Sequence, residues 1–201
     1  MAAVKERVGD VKQRIDEAAL RLFAEIGVDA TPVPLIAEKA GVAVGSIYRH
    51  YENKDDLVHR LYVEHYARLA GLLEAAIAGQ RSAEARLAAM IRAIARFIDA
   101  EWHVARFLLL EQHMRLQDFA DPANPVDVVH RVVLEGIKRG EIRAMDPMVA
   151  VALVMGPVVQ AATFRTYGRI AAPIAECADE LVRGGWAAIA DKQGSEKRGK
   201  R

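Results

Sequence analysis

The sequence predicts an all-α protein in two parts, a small N-terminal three-helix domain and a larger helical body. Apolar residues recur at helical spacing along most of the chain. Runs of β-branched residues are short and alanine is abundant, so strand signals are nearly absent. Proline and glycine fall where helices should start or stop.

The first helix is expected from Val11 to Ile26, with Val11, Ile15, Ala18, Ala19, Leu22, Phe23 and Ile26 on one apolar stripe. Gly27 follows as a C-terminal stop. Thr31 reads as an N-cap and Pro32 as the first residue of a short helix to Ala40, which buries Leu35, Ile36 and Ala37 and ends at Gly41. A further short helix spans Val44 to Tyr51. Asn53 caps a long helix from Lys54 to Ala78, with Asp55 and Asp56 favourably placed in its first turn. Ser82 caps a helix ending near Trp102, and Arg106–Phe119 continues after a break. Asp121 to Pro125 is the clearest loop. Helices follow at Val126–Arg139, Pro147–Tyr167 and Pro173–Ala190, and Ala150–Ala162 is apolar enough to be buried on more than one side. The segment from Lys192 to Arg201 holds five basic residues and one acidic one, and reads as a disordered basic tail.

With 201 residues, 52% hydrophobic and 27% charged, the chain buries a core without disulfide or metal staples and is not disordered. A net charge of +1 excludes a strongly basic coat for nucleic acid. A single cysteine, Cys177, excludes an intramolecular disulfide and any CxxC zinc site. No stretch approaches the roughly 18 uninterrupted apolar residues of a membrane span, and Met1–Asp10 alternates charges without an apolar signal core. A cytoplasmic protein is expected, with no membrane partner.

Ala37, Gly41 and Ile47 have the spacing of a helix-turn-helix. The small residue lets two helices approach, the glycine takes the left-handed turn, and the apolar residue anchors the second helix, whose other face can enter a DNA major groove. The stretch Ile15–Leu57 resembles the DNA-binding domain of the TetR family of bacterial transcriptional regulators. The carrying residues are Ala18-Ala19-x-x-Leu22-Phe23-Ala24-x-x-Gly27, Thr31, Ile36-Ala37-x-x-Ala40-Gly41-Val42, Gly45-Ser46-Ile47-Tyr48-x-His50-Tyr51 and Lys54-x-x-Leu57. Gly140-Glu141-Ile142-Arg143 before Asp146-Pro147 also looks like that family's later helix junction.

The resemblance implies residues 1–54 as a helix-turn-helix DNA-binding domain and 55–191 as a helical effector-binding and dimerisation domain, followed by the tail, 192–201. It implies phosphate contacts from Thr31, Tyr48, His50 and Lys54, which fix register without reading sequence. Base reading then falls to Val44, Gly45, Ser46 and Arg49, with Arg49 able to donate twice to a guanine edge and Val44 to meet a thymine methyl. Ala43 replaces the Ser or Thr usual as the cap of the recognition helix, Val44 stands where a polar residue is frequent, and Pro34 stands where some members place a base-reading side chain. Residues 1–54 carry eight basic and eight acidic side chains, so weak non-specific DNA affinity and a shallow salt dependence are expected.

The resemblance further implies a homodimer through the last two helices, a double-stranded operator with two-fold symmetry, and a small effector among the middle helices. Candidate lining residues are Tyr66, Phe97, Trp102, His103, Phe107, Leu110, His113, Met114, Met155, Gln160 and Phe164. Aromatics and methionines around a few polar groups suit a small, largely apolar ligand. His103 and His113 lack a convincing third ligand, so neither a metal nor a cofactor is expected. No Ser-His-Asp order, HExxH, phosphate loop or paired carboxylates support an enzyme. A helical interaction protein that has lost DNA binding is the other alternative, kept open by Ala43, Val44 and the neutral N-terminal domain.

Overall fold

A computed structural model describes residues 2–115 and 124–191, with side chains described at 10–111 and 124–191. Nine helices occur among the described residues: α1 (Ala2–Ile26), α2 (Val33–Ala40), α3 (Val44–Ile47), α4 (Lys54–Ile77), α5 (Ala83–Ala100), α6 (Trp102–Arg115), α7 (Pro125–Lys138), α8 (Pro147–Thr166) and α9 (Ile174–Ile189). The expected tail and most of the Asp121–Pro125 loop lie outside the described residues. The chain divides into two compact units. The first holds α1, α2, α3, α4 up to His65, and α6; the second holds the rest of α4 and α5, α7, α8 and α9.

In the first unit α1 packs against α2, α3 and α6. The expected stripe is buried at Ile15, Ala18, Ala19, Leu22 and Phe23, with Leu20 and Ala24 added, whereas Ile26 in the last turn is exposed. Phe23 and Phe107 stack with ring centres 5.8 Å apart, and Tyr62 meets Phe107 edge-on at 6.2 Å. Gly27 ends α1 at φ +85°, a conformation that costs glycine little.

In the second unit α9 packs on α5 and α8. Two devices at helix ends tie the helices together. Asp99, near the end of α5, accepts from the backbone N–H groups of Ile174 (3.0 Å) and Ala175 (2.8 Å), and also pairs with Arg165. It therefore caps α9, whose own preceding residue, Pro173, provides no side-chain cap. Glu141 accepts from the N–H of Ala83 at 2.7 Å while Ser82 accepts from Ala85 at 3.1 Å, so α5 is capped from both near and far in sequence. Ile142 crosses between these points, forming an isolated antiparallel bridge with Ala190. It packs so tightly on α7 that a Cβ on Gly136 would lie 2.6 Å from Ile142 Cδ1 and 2.9 Å from Ala83 Cβ.

Helix α8 corrects an expectation. Only one side is buried: Ala150, Val151, Val154, Val158, Ala161 and Ala162. The opposite side, with Val149, Ala152, Gly156, Gln160 and Phe164, is exposed. Continuous apolarity exceeds what one packing face needs, so it leaves a second face open to solvent in the single chain. Among the described residues, α8 is also the one helix long and apolar enough to cross a membrane by length and composition.

Candidate nucleic-acid interface and effector site

The helix-turn-helix is built from short-range geometry. Gly41 closes α2 at φ +65°, where its N–H donates to Glu38 O at 3.0 Å and the next N–H, Val42, donates to Ala37 O at 3.0 Å. Ala37 and Ile47 are buried between the helices. Helix α3 has no side-chain cap, as Ala43 dictates, and is one turn long, with Tyr48 as its C-cap. The helix expected to reach Tyr51 therefore ends at Ile47, although His50 and Tyr51 still donate to Ile47 O.

The outer face of this element presents Val44, Gly45, Tyr48 and Arg49 to solvent, and His50 is half-buried. Three expected DNA contacts point elsewhere. Thr31 is fully buried and donates its hydroxyl to Gly27 O at 2.6 Å; the N-cap of α2 is Pro32. Lys54 donates to Val28 O at 2.9 Å and Thr31 O at 3.3 Å, closing the turn before α2 onto the start of α4. Ser46 is buried and accepts from Arg49 Nη2 at 2.8 Å. The carbonyls of the 28–31 turn lack helical donors, and a lysine at the next helix start satisfies them. Arg49 thus emerges from the surface just after α3, with one guanidinium nitrogen already oriented by Ser46.

A side-chain network missed by the sequence reading holds this element. Tyr51 is 2% exposed, and its hydroxyl donates to Asp16 on α1. Asp16 also accepts from Lys12 at 2.6 Å. Lys12 and Arg60 lie 5.7 and 5.8 Å from the Tyr51 ring centre, bringing α1 and α4 onto one aromatic ring. Burial first, and then the hydrogen bond to Asp16, hold the Tyr51 phenol protonated far above its ordinary range. Asp16 is 35 residues from Tyr51, so no local spacing announces the pair.

The expected effector residues fall in both units. Phe107 is core, sandwiched by Phe23 and Tyr62. Trp102 is half-buried in the same unit, while His103 and Leu110 are exposed. The His113 and Met114 side chains lie outside the described residues. In the second unit, Gln160 and Phe164 lie on the exposed side of α8 and Met155 is half-buried. Tyr66 is half-buried, and burial and then the Asp127 carboxylate raise its hydroxyl's pKa. Phe97 lines a groove, about 420 Å³ in volume, between α4 and α5. Among the described residues no three His, Cys, Asp or Glu side chains gather as a metal site.

The first unit thus holds a helix-turn-helix whose outer face is exposed. Residues 15–61 match the sequence profile of the bacterial regulatory proteins of the tetR family. The chain is 26% identical over 156 residues to the fatty acid metabolism regulator protein of Bacillus subtilis, covering 75% of this chain and 80% of that protein. It is 40% identical over 58 residues to the HTH-type transcriptional regulator AcrR of Shigella flexneri, a match spanning 29% of this chain and 27% of that one. The fold is that of FadR from Bacillus subtilis, solved in complex with stearoyl-CoA (TM-score 0.74, 21% identity, 89% of this chain and 99% of that chain). It is equally that of a TetR-family regulator from Marinobacter aquaeolei VT8 (TM-score 0.78, 18% identity, 94% and 100%). Residues 15–61 thus form a segment similar to the DNA-binding domain of the tetR-family regulatory proteins.

Proposed function

We propose that the protein is a repressor that binds a palindromic operator as a homodimer and is released by a small, largely apolar effector. It acts in the cytoplasm and catalyses no reaction. The observation that carries the reading is the exposed row Val44, Gly45, Tyr48 and Arg49 set on a buried Ile47 anchor. Arg49 and Val44 supply base contacts, and Tyr48 and His50 supply phosphate contacts. Thr31 and Lys54 act indirectly, by fixing the turn that carries α2.

The exposed side of α8 supports dimerisation: Val149, Ala152, Gly156 and Phe164 repeat at helical spacing, a face suited to a second copy of the chain. A dimer presents two reading heads about 34–36 Å apart, one turn of DNA. Helix α4 begins in the first unit and ends in the second. An effector that prefers one tilt of α4 changes the separation of the heads, and linkage then requires DNA to weaken effector binding by the same factor. The name of the Bacillus relative and the stearoyl-CoA in its structure make fatty-acyl compounds the first effectors to try.

The test is selection of duplexes from a random library at fixed salt, using the wild type and Arg49→Ala. A two-fold symmetric site should emerge, and the substitution should cost about ten-fold or more in affinity while relaxing one base position in each half-site. Enrichment of no sequence by protein refolded free of small molecules would overturn the reading.

A further inference from the structure

The α4–α5 groove carries its own chemistry. On α4, Arg68 and Leu72 stand one turn apart; on α5, Ala93, Arg96, Phe97 and Ala100 follow at helical spacing, so all face one channel. Ala93 and Phe97 are buried and make an apolar floor, while both arginines are exposed. Arg68 pairs with Glu101, and its guanidinium lies 5.9 Å from the Phe97 ring centre. Arg96 has no hydrogen bond, ion pair or ring contact among the described residues. The lining therefore has two cations against one carboxylate, above a floor that offers a ligand only apolar contact. About 420 Å³ suits a small molecule rather than a folded partner.

We propose that this groove binds the anionic end of a small amphiphile, a carboxylate or phosphate borne on an apolar chain. Arg96 receives the anion. Phe97 and Leu72 seat the adjoining carbons. Glu101 competes for Arg68 and yields it when the anion arrives, so that two guanidinium groups close on one charge. The proposal rests on the effector-released reading above and names the chemistry of that effector.

Titration calorimetry on the full chain tests it with dodecanoate, dodecyl phosphate and neutral dodecanol. At least one of the two anionic amphiphiles should bind more tightly than dodecanol. Dodecanoate binding identifies a carboxylate head, and binding of dodecyl phosphate alone identifies a phosphate. Arg96→Ala should weaken that binding about ten-fold with an unchanged melting temperature, because this arginine has no partner to lose among the described residues. Glu101→Gln should strengthen it about three-fold, a sign that a merely structural role for Glu101 does not give. Equal affinity for dodecanol, unchanged affinity in Arg96→Ala, or no binding by any probe would overturn the proposal. Operator release separates the two readings. Anion binding that depends on Arg96 but leaves DNA bound keeps the groove and removes the effector role. Release by dodecanol, unaffected by Arg96→Ala, keeps the effector role and removes the groove.

Discussion

In the N-terminal unit several long cations are tied to backbone carbonyls or to a side chain of their own turn: Lys54 to the carbonyls of Val28 and Thr31, Arg14 to Ala40 at 3.3 Å, Arg49 to Ser46. In the second unit they bridge helices: Arg86 to Glu135, Arg92 to Asp179, Arg131 to Glu74 and Arg165 to Asp99. The first pattern shapes turns, and it uses donors that would otherwise reach phosphate. Together with the balanced charge of residues 1–54, it makes the reading head depend on a few oriented groups rather than on a diffuse positive field. The second pattern fixes how helices lie against one another, with partners 49 to 87 residues apart.

The largest break in this contrast should come from Asp99→Ala. It uncaps α9 and leaves Arg165 without its carboxylate, costing about 2–3 kcal/mol. In thermal unfolding that reads as a melting point lowered by about 5–10 °C, with DNA affinity per folded protein unchanged. An unchanged melting point would show that α9 does not need its distant cap. Gly136→Ala comes next: the added methyl meets Ile142 and Ala83, and after the gain in helix propensity the net loss should be about 1–2 kcal/mol. A more stable variant would mean that Ile142 moves aside freely. The smallest effect sharpens the contrast from the other side. Tyr51→Phe should cost about 1 kcal/mol in stability and weaken operator binding several-fold in fluorescence anisotropy, while amphiphile affinity stays at the wild-type value. Loss of amphiphile binding instead would show that the Tyr51 network is not confined to the reading head.

The same difference in range explains what the sequence disclosed. The turn glycines, the Ser82 and Asn53 caps, the buried Ala37 and Ile47 and the order of helices are set by residues within one or two turns, and each was legible. The buried hydroxyl of Thr31, the inward Ser46 and the Tyr51–Asp16 pair depend on side-chain direction in three dimensions, which spacing does not reveal. The effector candidates differ in their surroundings for a related reason. Phe107 and Phe97 are alike as letters, yet one fills a core between two aromatic rings and the other floors a groove. Helix α8 read as doubly buried because continuous apolarity does not say how many of a helix's faces are packed.

Tyr51 and Asp16 also constrain how such a reading head diverges. Phenylalanine at 51 strips Asp16 of its phenol partner, and alanine at 16 leaves a buried hydroxyl unsatisfied, whereas changing both removes donor and acceptor together. The two positions are thus energetically coupled and are expected to change together. Lineages that exchange the pair must cross a less stable intermediate or change both residues while another substitution supplies the missing stability.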